Sequence, residues 1–98
     1  MKILKTAAAG TLESSDAMIT VEPGQDKIDL DITSCVFNQF GRQIKATILE
    51  TLDRLEVTSA KVTVVDKGAL DCVIRARLRC AVCRSAETPY DWTREDVK

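Results

Sequence analysis

The stretch Ile28-Asp29-Leu30-Asp31-Ile32-Thr33, followed at once by Ser34-Cys35-Val36-Phe37-Asn38-Gln39-Phe40, decides the fold class of this chain. In its first half apolar and polar residues alternate, which puts Ile28, Leu30 and Ile32 on one buried face of a strand and Asp29 and Asp31 on the outward face. In its second half the period changes. Phe37, Phe40, Ile44, Ile48, Leu52 and Leu55 recur at spacings of three or four and predict a helix with one apolar stripe, capped by Ser34 and weakened but not ended by Gly41.

Toward the N-terminus, Ala17 to Glu22 contains the alternating pair Ile19 and Val21 and stops at Pro23-Gly24, a turn signal. A short strand is expected there, paired with Ile28–Thr33 as a hairpin. Toward the C-terminus, Val62, Val64 and Val65 predict a third strand that stops at Asp66-Lys67-Gly68. A second helix follows from Ala69 to about Ala86, with Leu70, Val73, Ile74, Leu78, Ala81 and Val82 as its buried stripe and Arg75, Arg79 and Arg84 pointing elsewhere. Pro89 and a charged tail end it. The order β-β-α-β-α implies an α+β fold: a two-layer sandwich with a small antiparallel or mixed sheet and two helices on one face. Residues 1–16 show no sustained period and read as a flexible arm, 17–88 as a single α+β domain, and 89–98 as a charged C-terminal tail.

At 98 residues with 45% apolar side chains, the chain suffices for one modest core. Aromatics make up only 4%, and Tyr90 and Trp92 fall outside the periodic segments, so Ile, Leu, Val and Ala must build that core. Fourteen basic and fifteen acidic residues give a net charge of -1, which supplies no general attraction to nucleic acid or to a membrane surface. Lys5 interrupts the apolar start after Ile3-Leu4, so neither a signal peptide nor a membrane span is read, and a cytoplasmic setting is expected.

In that setting Cys35, Cys72, Cys80 and Cys83 are read as free thiols. Cys80-Ala81-Val82-Cys83 has C-x-x-C spacing, but a structural zinc site wants four ligands, and without histidine only Cys35 and Cys72 remain to complete it. A redox pair would favour a helix N-terminus, whereas these two lie near a predicted C-terminus. No metal is expected. The absence of histidine also removes the commonest general base, so neither Ser14 nor Ser15 in Gly10-Thr11-Leu12-Glu13-Ser14-Ser15-Asp16 is read as a catalytic nucleophile. A serine modified by another enzyme needs only reach, backbone freedom and small neighbours, which this segment offers. An RNA-binding α+β module is the reading from another class, but its sheet face would carry Asp29 and Asp31 and no aromatic residues.

Three separated segments carry a resemblance. Gly10-Thr11-Leu12-Glu13-Ser14-Ser15-Asp16, then Gln39-Phe40-Gly41 with Ala46-Thr47-Ile48-Leu49-Glu50, then Asp66-Lys67-Gly68-Ala69-Leu70-Asp71-Cys72 with Arg75-Ala76-Arg77-Leu78 are similar, in the same order, to the acyl carrier (gamma) subunit of citrate lyase. The resemblance covers about Gly10 to Leu78, and Met1–Ala9 and the extra cysteine pair beyond Arg79 depart from it.

It implies a non-catalytic carrier in citrate fermentation, a phosphoprotein in the sense that Ser14 is joined by a phosphodiester to 2'-(5''-triphosphoribosyl)-3'-dephospho-CoA. Ser15 is the adjacent alternative. The implied partners are the alpha (acyl transferase) and beta (citryl lyase) subunits, which together cleave citrate to oxaloacetate and acetate, and the prosthetic-group transferase. Arg75, Arg77 and Arg79 would contact the acidic prosthetic group or a partner, or else form a solvated helix face. The carrier subunit of malonate decarboxylase, with the same kind of prosthetic group, is the nearest alternative.

Overall fold

The computed structural model describes residues 1–35 and 37–87, those at 37–40 by their backbone alone. The elements run β1 (Ala7–Gly10), β2 (Ala17–Pro23), β3 (Ile28–Ser34), α1 (Phe37–Arg54), β4 (Ala60–Asp66) and α2 (Asp71–Ser85). Alternation places β4 at the heart of the sheet: Ala60, Val62, Val64 and Asp66 are buried, whereas Lys61 between them is exposed. The four strands lie in the order β1-β2-β4-β3. β1 is antiparallel to β2, β2 is antiparallel to β4, and β3 is parallel to β4 across the α1 crossover. Register stacks the inner side chains in rows, Ile19–Val64–Ile32 and Val21–Val62–Leu30. The β2 members of these rows are fully buried, and those on β3, an edge strand, are only half-buried.

Both helices close this face. α2 packs on β1 and β2, α1 packs against β3, and the helices touch each other. The buried stripe of α1 is Ile44, Ile48 and Leu52, and that of α2 is Ile74, Leu78, Ala81 and Val82. The two-layer α+β sandwich with a mixed sheet and both helices on one face is as the sequence implies. Phe37 and Phe40, expected on the α1 stripe, lie outside the described side chains, and the tail 89–98 lies outside the described residues. Among the described residues no helix is long and apolar enough to cross a membrane.

Three expectations give way. β2 and β3 do not pair as a hairpin, because β4 enters between them and takes the ladder hydrogen bonds of both. The segment read as a flexible arm contains β1 and a buried Ile3. It is held because the Leu4 and Lys5 amides donate to Ser85 O, Arg84 Nη1 donates to Ala8 O at 2.7 Å, and the terminal amine of Met1 donates to the carbonyls of Leu55 and Glu56 at the end of α1. Finally, α2 starts two residues later than expected. Leu70, placed on its buried stripe, instead precedes the first turn in an extended conformation and is 72% exposed.

Candidate functional site

Ser14 sits at the apex of the β1–β2 connection, on a tight turn closed by the Asp16 amide donating to Glu13 O at 3.2 Å. Ser15 takes the left-handed conformation the turn needs, with φ 66°. Two hydrogen bonds extend the β2–β4 ladder into this loop, from the Ser15 amide to Lys67 O at 2.8 Å and from the Lys67 amide to Asp16 O at 2.9 Å. The hairpin that bears the turn depends on Gly10. Its φ of +107° is closed to other residues, and a Cβ there would lie 1.8 Å from Ala17 O. Both serines are exposed, and among the described residues nothing hydrogen-bonds the Ser14 hydroxyl.

The order beneath Ser14 converges on Asp16. Its carboxylate accepts two hydrogen bonds from Arg77, Nε to Oδ1 at 3.0 Å and Nη2 to Oδ2 at 2.9 Å. It also accepts from Thr11 Oγ1 at 2.6 Å and from the Ala17 amide at 2.7 Å. The Arg77 hydrogen bonds above all, then those from Thr11 and Ala17, hold the carboxyl well below the usual carboxylate range. The same contacts push Arg77 up from its ordinary value. Asp16 is therefore a fixed anion and a poor proton acceptor, unsuited to serve as a base toward Ser14.

The three arginines proposed as contacts part company. Arg77 reaches the serine loop, Arg79 is buried, and Arg75 is half-buried. Their i, i+2, i+4 spacing puts 75 and 79 together and 77 apart on a helix. At the Ser14 end of the sheet, Leu12 at 58% exposure and Leu70 project large apolar side chains. Lys67 beside the loop is also exposed.

Reading the sequence missed Thr11, Asp16 and Lys67 as parts of this site. Asp16 was visible only as a charge beside the serines, and nothing local ties it to an arginine 61 positions away. Asp29 and Asp31 are exposed, as alternation implies. All four cysteines are free. Cys83 is buried, which pushes its thiol up, and among the described residues no cluster of three or more metal-ligating side chains occurs.

The family described as "Malonate decarboxylase delta subunit (MdcD)", an acyl carrier family, matches residues 4–85. Among curated relatives, a citrate lyase acyl carrier protein of Oenococcus oeni is 56% identical over 94% of this chain and 97% of its own length. One from Albidiferax ferrireducens is 55% identical over 94% and 96%, and one from Haemophilus influenzae 51% over 94% and 96%. A chain of a Pseudomonas malonate decarboxylase hetero-tetramer, solved in complex with malonate, superposes with a TM-score of 0.67 over 82% of each chain. At 22% identity that likeness is one of fold. With more than half of the aligned residues identical to these relatives over nearly the whole of both chains, the protein belongs to the family of citrate lyase acyl carrier proteins.

Proposed function

We propose that this chain is the cytoplasmic acyl carrier subunit of a citrate lyase and that Ser14 is its point of attachment. The observation that carries this is the Ser14 hydroxyl, exposed and without a hydrogen-bond partner among the described residues, at the apex of a hairpin whose flanks are tied down. Ser15, the neighbouring hydroxyl, suits the role less well, since its backbone is in the left-handed region and its amide is committed to Lys67.

The relatives' name and the resemblance of Gly10–Asp16 support an arm donated by triphosphoribosyl-dephospho-CoA, which once attached is a phosphoribosyl-dephospho-CoA group and supplies a thiol for acetyl and citryl thioesters. Attachment makes one bond and breaks one. Ser14 Oγ bonds the α-phosphorus of the triphosphate, pyrophosphate leaves, and the hydroxyl proton passes to a base on the transferase, since Asp16 is unsuited to take it. Lys67, exposed and tied by its backbone to Ser15 and Asp16, is the cation among the described residues that we assign to hold the phosphodiester. The chain itself only presents the arm. The alpha and beta subunits act on the thioester, at an effective concentration set by the tether.

The test is the intact mass and peptide map of the protein produced with its prosthetic-group synthesis and transfer enzymes. The expected result is a mass gain equal to the nucleotide arm on the Ser14 peptide, absent from Ser14→Ala and kept by Ser15→Ala. A chain that stays unmodified, or an arm retained after Ser14→Ala, overturns the assignment. A carrier role in malonate decarboxylase is the second reading, favoured by the family match over residues 4–85. Loaded carrier that restores citrate cleavage to alpha and beta subunits, but not malonate decarboxylation, excludes it.

A further inference from the structure

Besides the Asp16 amide bond to Glu13 O and the Ala17 amide bond to the Asp16 carboxylate, ties from three places hold the Ser14 turn. Thr11 grips Asp16 from within the loop, Lys67 holds Ser15 and Asp16 from the end of β4, and Arg77 grips Asp16 from α2. Of these only the Arg77 fork crosses from the helical layer to the loop. We propose that Arg77 is a positioning residue for modification at Ser14: its bidentate pair with Asp16 fixes the turn in the one conformation the transferase accepts. This inference rests on Ser14 being the attachment residue.

The placement argues against a role in holding the fold. Arg77 stands beside the buried positions Ile74, Leu78 and Ala81, which already fix α2 on the sheet. The pair itself is part-exposed, and pairs of that kind add little to global stability. Its geometry, however, is specific: a planar fork matched to two carboxylate oxygens, which a lysine cannot reproduce. The loop it holds contains a left-handed non-glycine residue, Ser15, a conformation that relaxes when it is not held. Leu12, Glu13, Ser14 and Ser15, the residues around the reacting hydroxyl in the chain, are exposed. Order at Ser14 thus depends on what happens two residues away.

If the turn is competent only a fraction of the time, the apparent affinity for the transferase falls by that fraction, while turnover of the bound complex stays the same. The experiment is loading kinetics on the full chain with the transferase and the triphosphoribosyl donor. It compares wild type, Arg77→Met, Arg77→Lys, Asp16→Asn and the double variant Asp16→Asn/Arg77→Met, each read by mass and alongside amide exchange. For Arg77→Met the expected result is a KM for the carrier raised about tenfold with kcat within about twofold, and faster exchange at the Ser15 amide. Arg77→Lys recovers only part of the loss, and the double variant is no worse than either single one, as a shared interaction requires.

Wild type and Arg77→Met loading with equal kcat/KM overturns the inference while leaving Ser14 as the attachment site. So does a loss confined to kcat that follows the fraction unfolded. A wild-type chain that never loads overturns the attachment reading and this inference with it.

Discussion

Leu70 and Leu78 are separated by two helical turns in sequence and by the whole difference between solvent and core in the structure. Leu78 is 0% exposed where α2 meets the sheet. Leu78→Ala removes three carbons, worth about 0.8 kcal/mol each in transfer from water, or about 2.4 kcal/mol. The cavity left between Ile74, Val82 and the sheet adds to this, for a total of about 3–4 kcal/mol. Against the roughly 5–15 kcal/mol typical of a small domain, that is a large share. Urea denaturation monitored by circular dichroism should show the midpoint falling by about 2–3 M with the slope unchanged. The melting temperature should fall by roughly 12–30 °C. Leu70→Ala, by contrast, should stay within about 0.5 kcal/mol of wild type. Equal losses in the two variants, or a cost at Leu78 below about 1 kcal/mol, would refute the packing of α2 on the sheet as described.

Three further outcomes follow from the geometry. Gly10→Ala forces a Cβ against Ala17 O at a φ open only to glycine, so it should cost at least about 2 kcal/mol by urea titration; a neutral result would contradict the hairpin geometry. Glu56→Gly should add about 0.5–1 kcal/mol, because Glu56 occupies the left-handed closing position after α1 (φ 57°), where the Val57 amide reaches back to Leu52 O; a loss of stability would argue against that closure. Asp16 has its folded pKa depressed, so its contribution is complete above the ordinary carboxylate value near about 4 and is lost as pH falls below it. Stability of wild type should therefore decline slightly more steeply than that of Asp16→Asn in this acid range, the difference kept small by the pair's partial exposure, and a decline steeper in Asp16→Asn would count against the hydrogen bonds that Asp16 accepts from Arg77, Thr11 and the Ala17 amide.

What could be read from the sequence was whatever a local period determines. Ile19/Val21, Ile28/Leu30/Ile32 and Val62/Val64 alternate because one face of each strand is covered, and Ile44/Ile48/Leu52 and Ile74/Leu78 keep helical spacing for the same reason. β1 could not be read. Ala7-Ala8-Ala9-Gly10 has no β-branched residue, and it is a strand because β2, α2 and the Arg84 guanidinium hold it. Leu70 fits the spacing of α2, but the helix begins after it. Of the site, Ser14 was legible through its small polar neighbours and its resemblance. The network under it was not, since Asp16–Arg77 and Ser15–Lys67 are contacts between distant parts of the chain.

The insertion of β4 between β2 and β3 has a consequence for how the chain can assemble. β2 and β3 run in opposite directions, joined by only Gly24 to Lys27, yet must stand two strand widths apart, about 10 Å. Both strands leave the ribosome before β4, and until it arrives their free edges suit one another. Any pairing they make in that interval has to open again to admit the third strand. The hairpin that the sequence suggests is thus a competitor of the native sheet, and the wide, four-residue bridge between β2 and β3 is the slot that must be held vacant for the last strand to enter.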